Sequence, residues 1–585
     1  MTCEDPVAAI LENHVVVGNH KTSNYFAALK ELVQCREQAD DQVVREHWQQ
    51  GIDEVYALVR EEILTNTDNP VNQVNFGTSG WRGMLGKDIF VRSVATVTCA
   101  ILNLYAEGEN NPEIFEALGN IDFAAMQKKG CVVGFDNRFG GEILALAVMN
   151  VLAANGVKVL YAGEATTGAL SASVMQRGAA FSVNLTPSHN PMEYGGFKYN
   201  AADAGPAAPI LTDSITSTSK QYLDAGTNPY MKEGLDLQAP LSNHPGIVRE
   251  NALESWQHLI MANKSIHGVD YSWLTRAYAA NTDMVVCVDS VHGASRNYIQ
   301  DLLNNPPEER LILLRNTADC TFGGIAPEPS SNNMQFVIQA LQQHDAPLKV
   351  GAIIDPDADR IRFTDGTIEI SMNQFGAMAY HYLHEVKGKK GMVAKTVASS
   401  NLANAIARRL NEKIFEPKVG FKEFKPVMGK ALVFFEESDG ISIIGHTPEK
   451  DAFIGLILAI DMVQTLGISL GQYLHQIETT YGHYHPDRGG IEVSQQGEAL
   501  TASLKKLEAY KPGVEVMIGP HPKKIKEVID IDGRKIIFND DSWLMIRPSG
   551  TEPKVRFYVE ARDALETAFL VERAHSMLAE TGVLP

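Results

Sequence analysis

Strand–loop–helix units repeated along most of the chain predict α/β domains with mixed sheets, and a change of pattern near the C-terminus predicts a separate α+β domain. The length supports several units, because 585 residues exceed what one hydrophobic core can fill, so about three to five domains are expected. Residues 1–65 read as a helical extension. Apolar side chains recur there at helical spacing through Tyr25, Phe26, Leu29, Leu32 and Val33, and again through Val55, Leu58, Val59 and Ile63. Asn66–Asn75 is polar and turn-prone. The first unit follows as the strand Val132–Phe135, the loop Asp136-Asn137-Arg138 and the helix Ile143–Ala153, with the strand Ala179–Leu185 in the same domain. Met284–Val288, the loop Asp289–Gly293 and the helix Arg296–Leu303 form another unit. Val350–Ile354 leads through Asp355–Arg360 into the hairpin Ile361–Asp365. Met392–Ala394 leads to the helix Asn401–Leu410, and Ala431–Phe435 runs into Glu436–Gly440. The last segment carries a helix, Leu500–Tyr510, then strands at Lys526–Ile531, Lys535–Asn539 and Ser542–Ile546. A Gly/Pro loop, the strand Val555–Glu560 and the helix Leu565–Leu578 close it. The resulting division is 1–65, 66–245, 246–370, 371–485 and 486–585.

The chain is 44% apolar and 21% charged, the make-up of an ordinary globular protein. A formal net charge of −20 argues against nonspecific binding to nucleic acid or an anionic membrane. No apolar run reaches the length of a membrane span, and Met1–Pro6 reads as neither a basic nor an apolar leader. The six cysteines are far apart with no C-x-x-C spacing, which fits reduced thiols in a cytoplasmic setting. An anionic substrate would need a locally basic cleft, so the placement of Arg and Lys matters more than their number.

Four loops carry chemistry. In Thr186-Pro187-Ser188-His189-Asn190-Pro191, two prolines stiffen a loop just past a buried strand, where open α/β sheets place their reactive groups. The hydroxyl of Ser188 is expected to be presented there. Asp355, Asp357 and Asp359 alternate along an extended loop and can converge on a hard cation. An EF-hand does not fit, because its sixth position would be Arg360 and its twelfth Gly366. Three carboxylates that share a cation with a phosphate favour Mg²⁺ over Ca²⁺. Arg547-Pro548-Ser549-Gly550-Thr551-Glu552-Pro553 offers backbone N–H groups, two hydroxyls and a guanidinium to a phosphate dianion. It is not a P-loop, so an ATP-dependent kinase is disfavoured. Glu436-Glu437-Ser438 ends an apolar run with acceptors for vicinal hydroxyls. A fifth segment, Gly77–Gly83, is rich in Gly and Ser and holds Arg82, a counter-charge for a phosphate.

Together and in this order, GTSGWRG (77–83), TPSHNP (186–191), GGFKYN (195–200), DPDADR (355–360), EESDG (436–440) and RPSGTEP (547–553) resemble the motifs of the α-D-phosphohexomutase superfamily. The resemblance covers residues from about 70 to the end. It implies three related α/β domains and a C-terminal domain around a central cleft. It also implies interconversion of hexose 1- and 6-phosphates through a phosphoserine and a bisphosphate, glucose 1,6-bisphosphate where the sugar is glucose. Ser188 is implied as the phosphate carrier, and Asp355, Asp357 and Asp359 as the Mg²⁺ ligands beside it. Glu436 and Ser438 match sugar-binding positions, and Arg547, Ser549, Gly550 and Thr551 the distal phosphate loop. Lys198 matches an acid–base lysine, with His189 a second acid–base candidate. Arg82, Arg360, Lys422 and Lys450 match basic cleft positions. The EES form and GGFKYN look most like phosphoglucomutases, with phosphomannomutase or dual specificity as the alternative. Phe435 and Ala452 depart from the family by standing where Gly is common. The chain is expected to be a monomer or homodimer. A metal-dependent sugar phosphatase and a noncatalytic sugar-phosphate sensor are the readings from other classes.

Overall fold

The computed structural model describes residues 5–77, 80–549 and 554–584. The N-terminal extension is three helices, Pro6–His14, Tyr25–Gln38 and Gln42–Thr65. Asp5, Asn24 and Asp41 cap them by accepting first-turn N–H groups. Leu29, Leu32, Val33, Val55, Val59 and Ile63 are fully buried and belong to the same apolar cluster as the first sheet. The extension is therefore packed into the first domain's core.

That first sheet has seven strands in the order Phe76–Gly77, Gly80–Met84, Tyr194–Asn200, Phe181–Leu185, Cys131–Phe135, Val159–Glu164 and Ile247–Arg249. Its last four are parallel, and the others add antiparallel pairs on one side. Phe181–Leu185 is buried at every position, as a central strand covered on both faces must be. Its C-terminal end delivers residues 186–191. A five-stranded mixed sheet follows (Glu369–Ile370, Ile361–Thr364, Leu348–Ile354, Met284–Asp289, Leu311–Leu314), and the chain leaves Leu348–Ile354 directly into the acidic loop. A four-stranded sheet (Ile414–Phe415, Met392–Lys395, Ala431–Glu436, Gly440–Ile443) ends its third strand at Glu436.

One apolar cluster runs continuously from the first sheet through the second and third. The fourth unit has its own core on a six-stranded antiparallel sheet backed by the helix Ala564–Thr581. It meets the third domain through a small cluster in which Val397 and Ala398 face Trp543, Met545 and Tyr558. There Lys535 lies 3.9 Å from the centre of the Trp543 ring and donates to the Val397 carbonyl at 2.7 Å. Burial pushes its ammonium pKa down to about 7. Three domains thus share one apolar cluster, and the fourth, with a core of its own, meets the third across the small cluster around Trp543 and at Asn401–Glu560 and Val419–Asp532.

Local differences from the sequence reading have physical causes. Arg296–Leu303 is not one helix but a 3₁₀ turn, Ala294–Asn297, and one helical turn, Ile299–Leu302. The helix expected over Leu500–Tyr510 spans Gly497–Leu504 and tightens to 3₁₀ geometry at Lys505–Ala509. The fourth sheet also holds two strands that the sequence reading missed, His485–Glu492 and Glu515–Ile518. The first carries Pro486, Gly489 and Gly490, which lower β-propensity and are tolerated because the strand is at an edge. Gly489 is needed there, since a Cβ at that position would lie 2.3 Å from the Phe557 ring. Among the described residues no single helix is long and apolar enough to cross a membrane. The most apolar, Ala452–Leu466, is a core helix with nearly every residue buried.

Phe435 finds its place through a glycine. A Cβ on Gly376, in the helix Met372–His381, would lie 2.3 Å from the ring of Phe435. Both groups are fully buried, so neither can step aside. Gly376→Ala is expected to destabilise the protein by about 1–3 kcal/mol through overpacking, measured as a lowered midpoint in urea. An unchanged midpoint would show that the ring has room to move.

Candidate active site

Ser188 has a left-handed backbone, with φ of 59°, which a residue other than Gly adopts only when its surroundings impose it. Those surroundings are polar. The Ser188 N–H donates to Thr186 Oγ1 at 2.9 Å, and that hydroxyl donates to Asp136 Oδ2 at 2.7 Å. Arg138 spans the loop from below, donating to the carbonyls of Ser188 (2.7 Å), Pro191 (2.6 Å) and Asn190. Ser188 is fully buried, and its Oγ points into the acidic loop, donating to Asp355 Oδ2 at 2.8 Å with Asp359 Oδ1 at 3.4 Å. His189 Nδ1 lies 3.4 Å from the same oxygen.

Asp355, Asp357 and Asp359 are buried and bring ligand oxygens within 4.8 Å of one another. The loop curls because Asp355 Oδ1 accepts the N–H groups of Asp359 and Arg360, both at 3.0 Å. Asp357 Oδ2 accepts from Thr167 Oγ1 at 2.6 Å and Lys198 Nζ at 2.5 Å, while Asp357 Oδ1 is buried without a partner among the described residues. Burial and the two neighbouring carboxylates push the pKa of Asp355 well up. Burial works the same way on Asp359, but Lys198, Lys450 and Arg360 outweigh it and hold that pKa well below the usual range. Three crowded carboxylates with an orphaned oxygen fit a hard divalent cation.

Basic side chains ring the acids. Lys198, on the strand Tyr194–Asn200, reaches Asp359 Oδ2 at 2.8 Å, and Lys450 reaches the same oxygen at 2.9 Å. Burial opposes the charge on Lys198, yet Asp357 and Asp359 raise its pKa above that of an ordinary lysine. Lys450 is fixed by its neighbour Asp451, which caps the helix Ala452–Leu466 and accepts from Trp256 Nε1 (2.5 Å) and pairs with His446 Nε2 (2.7 Å). Arg82 donates to Asn190 Oδ1 at 2.7 Å. Burial, then the like charge of Arg360, lowers the Arg82 pKa. Burial, followed by Arg360 and Arg82, likewise holds His189 well below the usual imidazole range, so it is neutral near pH 7. Two crowded guanidiniums beside a neutral imidazole form a pocket that an anion would stabilise.

Glu436 ends its strand in this cluster, and burial pushes its pKa up to about 7. Ser438 Oγ sits 3.5 Å from Glu436 Oε2. Glu437 turns away to accept from Thr396 Oγ1 at 2.6 Å. Asp439 is held by the fork of Arg362, at 3.1 and 2.7 Å. From the fourth domain Arg488 donates to the Glu437 carbonyl at 2.6 Å and to Asp439 Oδ2 at 3.3 Å. Arg547 pairs with Asp532 at 3.1 Å; burial opposes its charge, but Tyr558 and Asp532, with a smaller part from Glu437, raise its pKa. The Ser549 N–H donates to the Lys554 carbonyl at 2.8 Å. Gly550 and Thr551 lie outside the described residues, as do Thr78 and Ser79. Lys422 stands on the 3₁₀ turn Phe421–Val427, which touches the first domain through Lys425 and Asp203 at 2.5 Å. No described contact joins Lys422 itself to the acidic loop.

The structure therefore gathers Ser188, His189, Lys198, Arg82, the three aspartates, Arg360, Lys450 and Glu436 from three domains. Sequence reasoning did not single out Asp136, Arg138, Thr167, Asp451 or Arg488 for the site. Asp136 and Arg138 lie in a loop after a strand, which is a signal. The others carry none.

Four family models match the chain in sequence order. Their descriptions are phosphoglucomutase/phosphomannomutase alpha/beta/alpha domain I (residues 101–225), domain II (269–368), domain III (371–481) and C-terminal domain (493–574). The chain belongs to the α-D-phosphohexomutase superfamily. This phosphohexomutase is 26% identical over 517 residues to a probable phosphoglucomutase, cytoplasmic 1, of Arabidopsis thaliana, covering 77% of this chain and 87% of the relative. It is 24% identical to a phosphoglucomutase of Staphylococcus haemolyticus, with 83% and 90% covered. Its fold matches a putative phosphomannomutase of Thermus thermophilus with a TM-score of 0.66 at 22% identity, covering 87% of this chain and 99% of that one. An N-acetylphosphoglucosamine mutase of Aspergillus fumigatus, in complex with GlcNAc-6P and magnesium, matches with a TM-score of 0.51 at 14% identity, covering 90% and 99%. This phosphohexomutase is an enzyme of carbohydrate metabolism, an isomerase acting on hexose phosphates.

Proposed function

We propose that this enzyme is a phosphoglucomutase that interconverts glucose 1-phosphate and glucose 6-phosphate, with Ser188 as its phosphate carrier. The observation that carries the reading is the 2.8 Å contact of the buried Ser188 Oγ with Asp355 inside a ring of Lys198, Lys450, Arg360 and Arg82. Asp355, Asp357 and Asp359, together with the Ser188 phosphate, would hold Mg²⁺. When bound, that ion neutralises charge on the transferring phosphoryl group. Arg82 and Arg360 position the group electrostatically, and such pre-set charges supply most of the acceleration in phosphoryl transfer. Lys198 holds a proton within reach of the reacting hydroxyl, and neutral His189 is the second acid–base group. Glu436 and Ser438 orient the sugar, while Arg547, Ser549, Gly550 and Thr551 grip its distal phosphate. Contacts that do not depend on which end of the sugar is inward let a glucose 1,6-bisphosphate intermediate turn round between transfers. The separate core of the fourth domain and the grip of Arg488 on residues 437 and 439 suit a fourth domain that opens for that turn and closes to exclude water. The relatives named cytoplasmic support a cytoplasmic enzyme; a monomer or homodimer is part of the same proposal.

The glucose assignment rests on the EES form and GGFKYN, and the structural likeness to a putative phosphomannomutase makes mannose the rival. A panel of glucose, mannose, glucosamine and N-acetylglucosamine 1-phosphates, each with its bisphosphate, decides it. Glucose is expected to lead in kcat/KM by about tenfold or more, the effect of one well-placed hydroxyl contact. A lead for mannose would move the assignment. Release of inorganic phosphate would make the enzyme a phosphatase, and no turnover on any sugar would leave a sensor.

A further inference from the structure

The N-terminal extension lies outside all four matched family models, yet its second helix touches both supports of the phosphoserine loop. On one side Arg36 of Tyr25–Gln38 donates to Asp319 Oδ2 and Thr321 Oγ1, both at 3.0 Å, and to Gln49 Oε1 at 2.6 Å. Asp319 and Thr321 join the extension to a loop of the second domain, while Gln49 is in the extension's own third helix. Asp319 shapes that loop by accepting the N–H groups of Thr321 (2.8 Å) and Gly323 (3.2 Å). Between them Phe322 adopts a left-handed backbone, φ 55°, and is completely buried. Such a conformation in a bulky residue persists only when the surroundings over-determine it. Its ring lies 4.8 Å from the guanidinium of Arg138, the residue that holds the carbonyls of Ser188, Asn190 and Pro191. Asn137, next to Arg138, donates to the Asp319 carbonyl at 3.2 Å.

On the other side Lys30 of the same helix, two turns earlier, donates to Glu193 Oε1 at 2.6 Å. Glu193 lies two residues past Pro191, and its other carboxylate oxygen is buried without a partner. Its carbonyl accepts the Leu85 N–H at 2.9 Å, which ties the end of the loop to the segment just past the strand that bears Arg82. An almost buried carboxylate with one cation on it is costly to leave unpaired.

We infer that Arg36 and Lys30 are positioning residues: the helix Tyr25–Gln38 clamps the Ser188 loop from two sides, through Phe322 and Arg138 beneath it and through Glu193 just past its C-terminal end. The inference rests on Ser188 being the phosphate carrier. A small displacement of a group held for in-line transfer slows the chemistry with little effect on sugar binding, which uses the third and fourth domains.

The test is the double variant Arg36→Met/Lys30→Met of the full chain. It is expected to lose about tenfold or more in kcat on glucose 1-phosphate with saturating bisphosphate, at a KM changed by less than about twofold. Amide exchange over residues 186–193 should quicken by about tenfold, while the strand Cys131–Phe135 beneath stays protected. Arg36→Lys should not rescue the loss, because a point charge cannot reach the three acceptors that the guanidinium fork spans. Unchanged kcat, or exchange that quickens equally in Cys131–Phe135, overturns the clamp. Should the double variant not fold, Thr321→Val, which removes one acceptor of Arg36, carries the same two readouts. Exchange needs no substrate, so a wild type without mutase turnover would refute the functional reading while the clamp is still tested.

Discussion

Ser188→Ala is expected to lower kcat by about 10⁴- to 10⁶-fold, the scale seen when a covalent carrier is removed. The substituted chain should fold. The left-handed backbone at 188 is imposed by Asp136, Thr186 and Arg138, all of which remain, and Ser already bears the same strain as Ala. The lost hydroxyl made one direct contact to Asp355, whose other oxygen keeps two backbone donors. The melting midpoint should accordingly move by no more than a few degrees, about the effect of 1 kcal/mol in a protein of this kind. A coupled assay of glucose 6-phosphate formation, with intact-mass detection of the phosphorylated enzyme, reads both consequences. Turnover near that of the wild type would exclude Ser188 as the carrier. A variant that fails to take up phosphate from the bisphosphate but still turns over would assign the chemistry to another group.

The second large effect belongs to Asp357. Asp357→Asn keeps the side chain's shape but removes a charge that accepts from Thr167 and Lys198 and leaves its other oxygen unpaired. The expected outcome is a loss of about 10²- to 10⁴-fold in kcat, several kcal/mol of transition-state stabilisation, with Mg²⁺ affinity weakened by at least about tenfold. Chelation of the wild type should stop turnover, and readdition of Mg²⁺ should restore it. Metal titration by calorimetry separates the two effects. Activity that survives chelation would remove the role assigned to the acidic loop. A variant that binds Mg²⁺ like the wild type would assign the ion to other ligands.

The site's reactive groups were legible because each needs a distinctive local sequence. A serine held between prolines and alternate aspartates are short patterns with a mechanism, and the alternation of strands and helices was equally plain, whereas Gly550 and Thr551 of the proposed phosphate loop lie outside the described residues. What stayed hidden was pairing over distance. Nothing near Trp256 says that its indole will steady Asp451 and so aim Lys450. Arg488 sits in a strand concealed by Pro486 and two glycines, so both the element and its reach to Glu437 were missed. The extension's amphipathic helices were evident at 25–33 and 55–63, but helical spacing predicts a buried face without saying what buries it. That Ser188 would be fully buried was not legible for a related reason: a polar loop between prolines does not show that a second domain is folded against it.

The serine and its acidic partner are 167 residues apart, and Lys450 lies 91 positions beyond Asp359, to which it is bonded. A ribosome adding about 5–20 residues each second takes roughly 8–30 s to travel from the first of these to the second. During that interval the first sheet can close only after Arg249 emerges, and the loop at 186–191 has Arg82, Arg138 and Lys198 of its own domain but lacks the acidic loop, Arg360 and Lys450. The nascent first domain is therefore chemically silent. The proposed site is complete only once Lys450 and then Arg488 have been made, so a chain truncated before them lacks groups that the proposed transfer uses.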